Sequence, residues 1–361
     1  MEALDAGPIG NPSSVHAAGR RARALVETAR ASVARALGAD PLDVVLTAGG
    51  TEGITLAIEG VARARARGAS TGRVAWCTAV DHPAVLAAMD ASRVRVGSTE
   101  RIEVPRGLPP SAASLVERAR EREVAFVACP WIHHETGVVF PVGEYARALA
   151  PLGVPLVVDA IQALGRVPID VATLAADVVV VASEKVGGPA GAGALWVRRG
   201  AAFDPVPRGG GQERGRRGGT EPLLALVGLG AAASEAATEL ERRGRELDAL
   251  GRTWIDRVCA MGGLLNAADA PRHLGIVSTA FEGVRSDHLV AALDVDGVAI
   301  SAGSACSSGR PEPSPSLLAM YPDEPWRARA SLRASFGPEL AVTDVERAAE
   351  LLNVALLRLR R

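Results

Sequence analysis

The chain has 361 residues, 48% of them hydrophobic, and a formal net charge of −1. That length allows one large domain or two ordinary ones around a sizeable core, and the balanced charge gives no global field toward nucleic acid or an anionic membrane. No apolar run reaches the roughly 18 residues that span a bilayer, and Met1-Glu-Ala-Leu-Asp5 lacks the basic start and apolar core of a signal peptide, so a cytoplasmic protein is expected. Cys77, Cys129, Cys259 and Cys306 form neither a disulfide framework nor a CxxC zinc spacing; no metal site is expected.

In chain order, Asn11-Pro-Ser-Ser14 reads as a turn and N-cap. Val15, Ala18, Leu25, Val26, Ala29, Val33 and Leu37 then recur at helical spacing, which predicts a helix over 15–37 that Gly38 ends. Asp43–Thr47 predicts a strand, and Ala48-Gly-Gly-Thr-Glu52 opens a helix to about Gly68. Arg73–Ala79 is the next strand, with a helix after Asp81-His-Pro83. Val124–Cys129 leads into Trp131–Gly137, and Val154–Val158 delivers Asp159. The apolar run Asp177–Glu184 ends at Lys185 and a glycine-rich turn, and Gly193–Arg198 follows. Near residue 221 the pattern changes: 222–260 is largely helical, and the short strands Gly275–Ala280 and Gly297–Ser301 mix with helices. This alternation predicts an α/β chain. A large domain over 11–235 holds a mostly parallel sheet between helices, and a smaller α+β domain takes 236–361 with 1–10. The arginine clusters Arg63–Arg67 and Arg214–Arg217 read as solvated faces.

Lys185 is the only lysine, since the other 39 of the 40 basic residues are arginine. A surface charge can be either residue, but a nucleophilic amine cannot be arginine, whose guanidinium stays protonated. Asp159 ends a wholly apolar strand, where a carboxylate is costly to bury without a cation. Gly49-Gly50-Thr51 sits between a strand and a helix, where free amides and the helix dipole suit a phosphate. His82 and Gln162 fall just beyond strand ends. Each feature has a plain reading: a chance survivor, a common turn, a structural histidine. Together they suggest pyridoxal phosphate, with its phosphate on the helix N-terminus, its pyridinium on Asp159 and Lys185 as covalent anchor. Downstream, Cys306 lies in Ser301-Ala-Gly-Ser-Ala-Cys-Ser-Ser-Gly309, among small polar residues. It reads as an exposed nucleophile, unlike Cys77 and Cys129 in their apolar runs.

From about Asn11 onward the chain resembles the cysteine desulfurases of the class-V aminotransferase family, on the fold-type-I pyridoxal phosphate scaffold. The resemblance is carried by Asn11-Pro-Ser-Ser-Val-His16, Thr47-Ala-Gly-Gly-Thr-Glu52, Asp81-His-Pro-Ala-Val85, His134-Glu-Thr-Gly137 and Val158-Asp-Ala-Ile-Gln162. Glu184-Lys185 with Gly188-Pro189, Gly209–Arg214 with Gly219-Thr-Glu221, Gly303-Ser-Ala-Cys-Ser307 and Ser331-Leu-Arg333 complete it. It implies a seven-stranded large-domain sheet. It implies catalytic roles for Lys185, Cys306 and His82, and cofactor contacts from Gly50, Thr51, His82, His134, Asp159, Gln162 and Lys185. Thr220 would reach the phosphate of a neighbouring subunit, which implies a homodimer. Arg333 and Asn11 would hold the substrate. L-cysteine would become L-alanine, leaving a persulfide on Cys306 for a protein sulfur acceptor such as a scaffold or thiolation protein; neither nucleic acid nor membrane is expected as a partner.

The chain also departs from the family. Ala182 stands where the family has a phosphate-binding serine, Glu184 where it has a histidine, and His134 where it has an asparagine at the ring hydroxyl. The family's N-terminal strand with its Ala-Thr-Thr-Pro segment has no counterpart in residues 1–10. Two alternatives stay open at this point. One is another lyase, aminotransferase or epimerase on the same scaffold. The other is a non-catalytic dimeric partner, because Ala182 and Glu184 replace phosphate ligands.

Overall fold

The computed structural model describes residues 7, 10–67, 72–205, 209–303 and 312–360. Seven strands form one sheet: β1 (Val44–Thr47), β2 (Arg73–Thr78), β3 (Gly97–Ile102), β4 (Val124–Pro130), β5 (Leu156–Asp159), β6 (Val178–Ala182) and β7 (Gly193–Val197). Their order is β1-β7-β6-β5-β4-β2-β3. β3, β2, β4, β5 and β6 run parallel, whereas β7 is antiparallel to both β6 and β1. The inner strands β4, β5, β6 and β7 are almost wholly apolar because helices cover both faces. Alternate residues go to opposite sides: Val179 and Val181 enter one core cluster, Val178 and Val180 the other.

The longer helices are α1 (Ala17–Leu37), α2 (Gly50–Ala66), α3 (Pro83–Val96), α4 (Ala112–Arg120), α5 (Val142–Leu149), α6 (Leu223–Thr238), α7 (Leu240–Ala260), α8 (Ser286–Val295) and α9 (Val342–Leu359). α1, α4, α5 and α6 supply the first cluster, with Val26, Leu115, Leu149 and Leu229 buried there. α2 and α3 supply the second through Ile54, Ile58, Val85 and Met89. A separate four-stranded antiparallel sheet has the order β10-β11-β9-β8, made of β8 (Leu264–Leu265), β9 (Ile276–Ala280), β10 (Ser301–Ala302) and β11 (Ser331–Ser335). It shares a third core with α7, α8 and α9, around Trp254, Leu289 and Leu352.

Three sequence readings are corrected. The cap of α1 is His16, whose Nδ1 accepts from Gly19 N at 3.2 Å; Asn11–Ser14 makes only the preceding turn. Gly38 does end the helix, at φ 65°. β3 was not foreseen, because Gly97-Ser-Thr-Glu-Arg-Ile102 is a polar edge strand paired only with β2. Gly297–Ser301 is a strand only from Ser301.

Candidate active site

The chemistry-bearing residues gather where the parallel strands of the large sheet end at their carboxyl termini, the usual ligand crevice of an open α/β sheet. β5 ends on Asp159, β6 runs into a short 3-10 turn over Ser183–Lys185, and the connections after β2 and β4 bring His82 and His134. β1 feeds α2, whose first turn begins at Gly50.

The start of α2 is shaped for close approach. A Cβ on Gly50 would stand 2.6 Å from Ile161 Cδ1 and 3.2 Å from Ala182 Cβ, so a side chain there would need these neighbours to give way. Gly49, the N-cap at φ 149°, has open space where a Cβ would be and offers no side-chain cap. The first-turn amides of α2 thus face outward without intrahelical partners. Ala182 contributes only a methyl beside this cup.

Asp159 Oδ1 accepts from Ile161 N at 3.0 Å. Burial pushes its carboxyl up to about 6, only partly offset by the Ile161 amide and His134, as expected of a carboxylate waiting for a cation. Gln162 Oε1 is buried without a partner among the described residues. His82 caps α3 through Nδ1, which accepts from Ala84 N at 3.1 Å. That bond leaves the ring proton to Nε2. Burial, with His134 and Lys185 nearby, lowers the ring to about 4, so His82 is neutral at physiological pH. The His82 and His134 rings stand edge to face, 5.0 Å apart. His133, by contrast, is fully buried with its ring nitrogens at 2.9 Å from Thr136 Oγ1 and Val80 O, and is structural.

Lys185 Nζ lies 3.8 Å from Glu184 Oε1, and both side chains reach solvent. Arg166 Nη1 holds the turn from behind, donating to the carbonyls of Gln162 at 3.1 Å and Lys185 at 3.3 Å. Arg333, on the central β11 of the small sheet, reaches the same crevice: Nη1 donates to His134 O at 3.2 Å and Nη2 to Ser301 Oγ at 3.3 Å. Its Nε is buried with no partner among the described residues. Cys306 lies outside the described residues, but β10, which pairs Ser301 with Arg333, leads toward it in sequence. Asn11 is exposed, and its Oδ1 takes Ser13 N within its own turn at 2.8 Å. Thr220 is exposed as well.

Pyridoxal phosphate fits these residues. The cup at Gly49–Thr51 suits its phosphate, the Asp159 carboxyl, without a cation among the described residues, its ring nitrogen, and the orphaned Gln162 oxygen a ring hydroxyl. Lys185, in the turn that follows β6, is the one amine side chain available as a covalent anchor. Ala182 brings no hydroxyl donor to this cup, and Glu184 lies 3.8 Å from Lys185.

Sequence reasoning passed over the braces of this site. Glu213, 5% exposed at φ 48°, takes Arg30 Nη1 at 2.5 Å, Arg30 Nη2 at 2.7 Å and Leu46 N at 2.8 Å. A side chain in that backbone region is held by its surroundings. Arg217 is buried rather than solvated and pairs with Glu52 at 2.9 Å, in the first turn of α2. These pairs fix the stretch that carries Thr220 against β1 and the cup. The only sequence signal was an acid and a base inside a glycine-rich motif.

Residues 7–348 match the aminotransferase class-V family. An IscS-like cysteine desulfurase of Mycobacterium tuberculosis (strain ATCC 25618 / H37Rv) is 38% identical over 363 residues, covering 98% of this chain and 91% of that protein. Among solved structures, a NifS-like protein superposes at a TM-score of 0.87 with 24% identity, over 97% of this chain and 92% of that one; this likeness speaks for the fold. SspA, solved in complex with cysteine, gives a TM-score of 0.76 at 27% identity, over 92% of each chain. The chain belongs to the aminotransferase class-V family, on the fold of the type-I pyridoxal phosphate enzymes. Within that family it is an enzyme of the cysteine desulfurase group, whose members use pyridoxal phosphate and pass sulfur from cysteine to acceptors.

Proposed function

We propose that this chain loads pyridoxal phosphate on Lys185, moves the sulfur of L-cysteine to Cys306 and passes it to a protein acceptor. The observation that carries the reading is the meeting of Lys185, Asp159 and His82 around the open first turn of α2, with Arg333 reaching in from the small sheet. When bound, the cofactor supplies an electron sink for the substrate's α-carbon. Asp159 keeps the ring nitrogen protonated. Gly50, Thr51 and, from the neighbouring subunit of a homodimer, Thr220 take the phosphate, while His134 and Gln162 take the ring hydroxyl. His82 packs on the ring. Arg333 and Asn11 orient the substrate, the former through a planar fork suited to a carboxylate. Lys185 moves the proton at the substrate α-carbon. The Cys306 thiolate then attacks the substrate sulfur: an S–S bond forms, the Cβ–S bond breaks, and a proton completes alanine. The balance is L-cysteine plus a thiol giving L-alanine plus a persulfide, with no outside oxidant.

A division into two units is supported by the two sheets, which lie within 44–197 and 264–335, but 235/236 falls inside α6 (Leu223–Thr238), which packs into the first core, so the break is placed beyond that helix. A cytoplasmic location is supported by the unpaired cysteines Cys77, Cys129 and Cys259. No single described helix is long and apolar enough to cross a membrane.

Two cofactor titrations, read in the visible absorption of the purified protein, test the assignment. Asp159→Asn removes a charge-assisted pair worth roughly 1.5–3 kcal/mol and should weaken cofactor binding by about one to two decades. Ala182→Ser restores a hydroxyl beside the cup and should tighten it, by about tenfold for a bond near 1.4 kcal/mol. Unchanged affinity in both variants would count against this placement of the cofactor.

A further inference from the structure

Glu135 belongs to the His134-Glu-Thr-Gly137 motif, yet the cofactor and substrate roles above leave it without a task. Its side chain is 1% exposed. Ser314 Oγ donates to its Oε2 at 2.6 Å. A Cβ on Gly303 would stand 3.8 Å from the same oxygen and 3.1 Å from Ser314 Cβ. Gly303 and Ser314 bracket Cys306 in sequence and lie side by side next to one carboxylate, to which Ser314 hydrogen-bonds. The other oxygen, Oε1, lies 3.6 Å from His134 Nε2, and the His134 carbonyl is the acceptor for Arg333. Ser314 is itself fixed: its N–H donates to Ala328 O at 3.0 Å, and its hydroxyl takes Leu317 N at 3.1 Å, opening the turn Pro315–Met320. Burial works against ionisation of Glu135, but His134, His133 and Ser314 outweigh it and hold the carboxyl at about 2. A buried charge is a costly way to make a mere packing contact, since apolar residues of similar size do that as well.

We propose that Glu135 is a positioning residue for sulfur transfer: its carboxylate holds Ser314, beside which Gly303 packs, and faces His134 across 3.6 Å, the residue whose carbonyl takes the substrate clamp Arg333. The bases of the Cys306 stretch are thereby set at a fixed place relative to the bound substrate. This rests on Cys306 being the sulfur acceptor.

The test compares Glu135→Gln and Ser314→Ala with the wild type, all loaded with pyridoxal phosphate and mixed with saturating L-cysteine. Two rates are read: the cysteine-induced change in cofactor absorption, which needs Arg333 and the cofactor but not Cys306, and the appearance of sulfur on Cys306 by mass spectrometry. The first should keep its wild-type rate in Ser314→Ala. The second should fall about 10- to 100-fold in either variant, as expected when a reacting group is misplaced by an ångström or so. Sulfur arriving on Cys306 at the wild-type rate in Ser314→Ala overturns the proposal, and so does an equal fall in both rates there, which marks general damage to the site. Should Glu135→Gln not fold, Ser314→Ala decides alone. A wild-type chain that gains no sulfur at Cys306 overturns the underlying assignment instead, and is read before either variant.

Discussion

Lys185→Ala should abolish turnover of L-cysteine and the absorption band of covalently held pyridoxal phosphate, while leaving the fold intact. The lost proton transfer alone accounts for about 10²–10⁴ in rate, and the lost covalent anchor adds to it. Lys185→Arg should fail equally, because a guanidinium neither condenses with a carbonyl nor gives up its proton near neutral pH. The side chain is 43% exposed and its one ion pair among the described residues, to Glu184, spans 3.8 Å. Replacing such a group changes stability by only about 0.5 kcal/mol, so the melting temperature of the cofactor-free variant should match the wild type. Loss of turnover with an unchanged melting profile separates chemistry from folding. A variant that keeps the band would place the cofactor elsewhere.

Cys306→Ala should stop alanine release and sulfur transfer while leaving the early response to substrate in place. In the proposed assignment, cofactor loading depends on the cup at Gly50, on Asp159 and on Lys185, and substrate orientation on Arg333; none of these needs the thiol. The variant should therefore bind pyridoxal phosphate as the wild type does and still change absorption when L-cysteine is added. The effect on sulfur transfer should approach complete loss, since the other described cysteines are poor substitutes. Burial pushes the thiols of Cys77 and Cys129 well above their ordinary value, and partial burial with Asp256 nearby raises that of the exposed Cys259 as well, so little thiolate is available. Sustained alanine production by Cys306→Ala would favour another lyase on the same scaffold.

Much of the fold was legible because a doubly covered sheet writes itself as uninterrupted apolar runs. Val178–Ala182, Val124–Pro130 and Leu156–Asp159 are buried along nearly their whole length; the last ends at Asp159, and the turns after the first two bring Lys185 and His134. β3 was not legible: of Gly97–Ile102 only Ile102 is fully buried, and an edge strand has no second neighbour to demand apolar residues. β11 hid behind the small polar residues of Ser331-Leu-Arg-Ala-Ser335, although its pairing with β9 and β10 is what carries Arg333 to the crevice. Asp159, His82 and Lys185 stood out because a lone polar group after an apolar run needs an explanation. Glu135, Glu213 and Arg217 did not, because their partners Ser314, Arg30 and Glu52 lie 179, 183 and 165 positions away, and no local pattern marks such pairs.

The most direct test of the account is the mass of the Cys306 peptide from protein loaded with pyridoxal phosphate, taken after L-cysteine is added and the reaction is quenched without reductant. The account predicts one added sulfur on that peptide, matched by one alanine released, with neither in Lys185→Ala. Alanine released with no added sulfur on Cys306, or sulfur found on another cysteine instead, would contradict it.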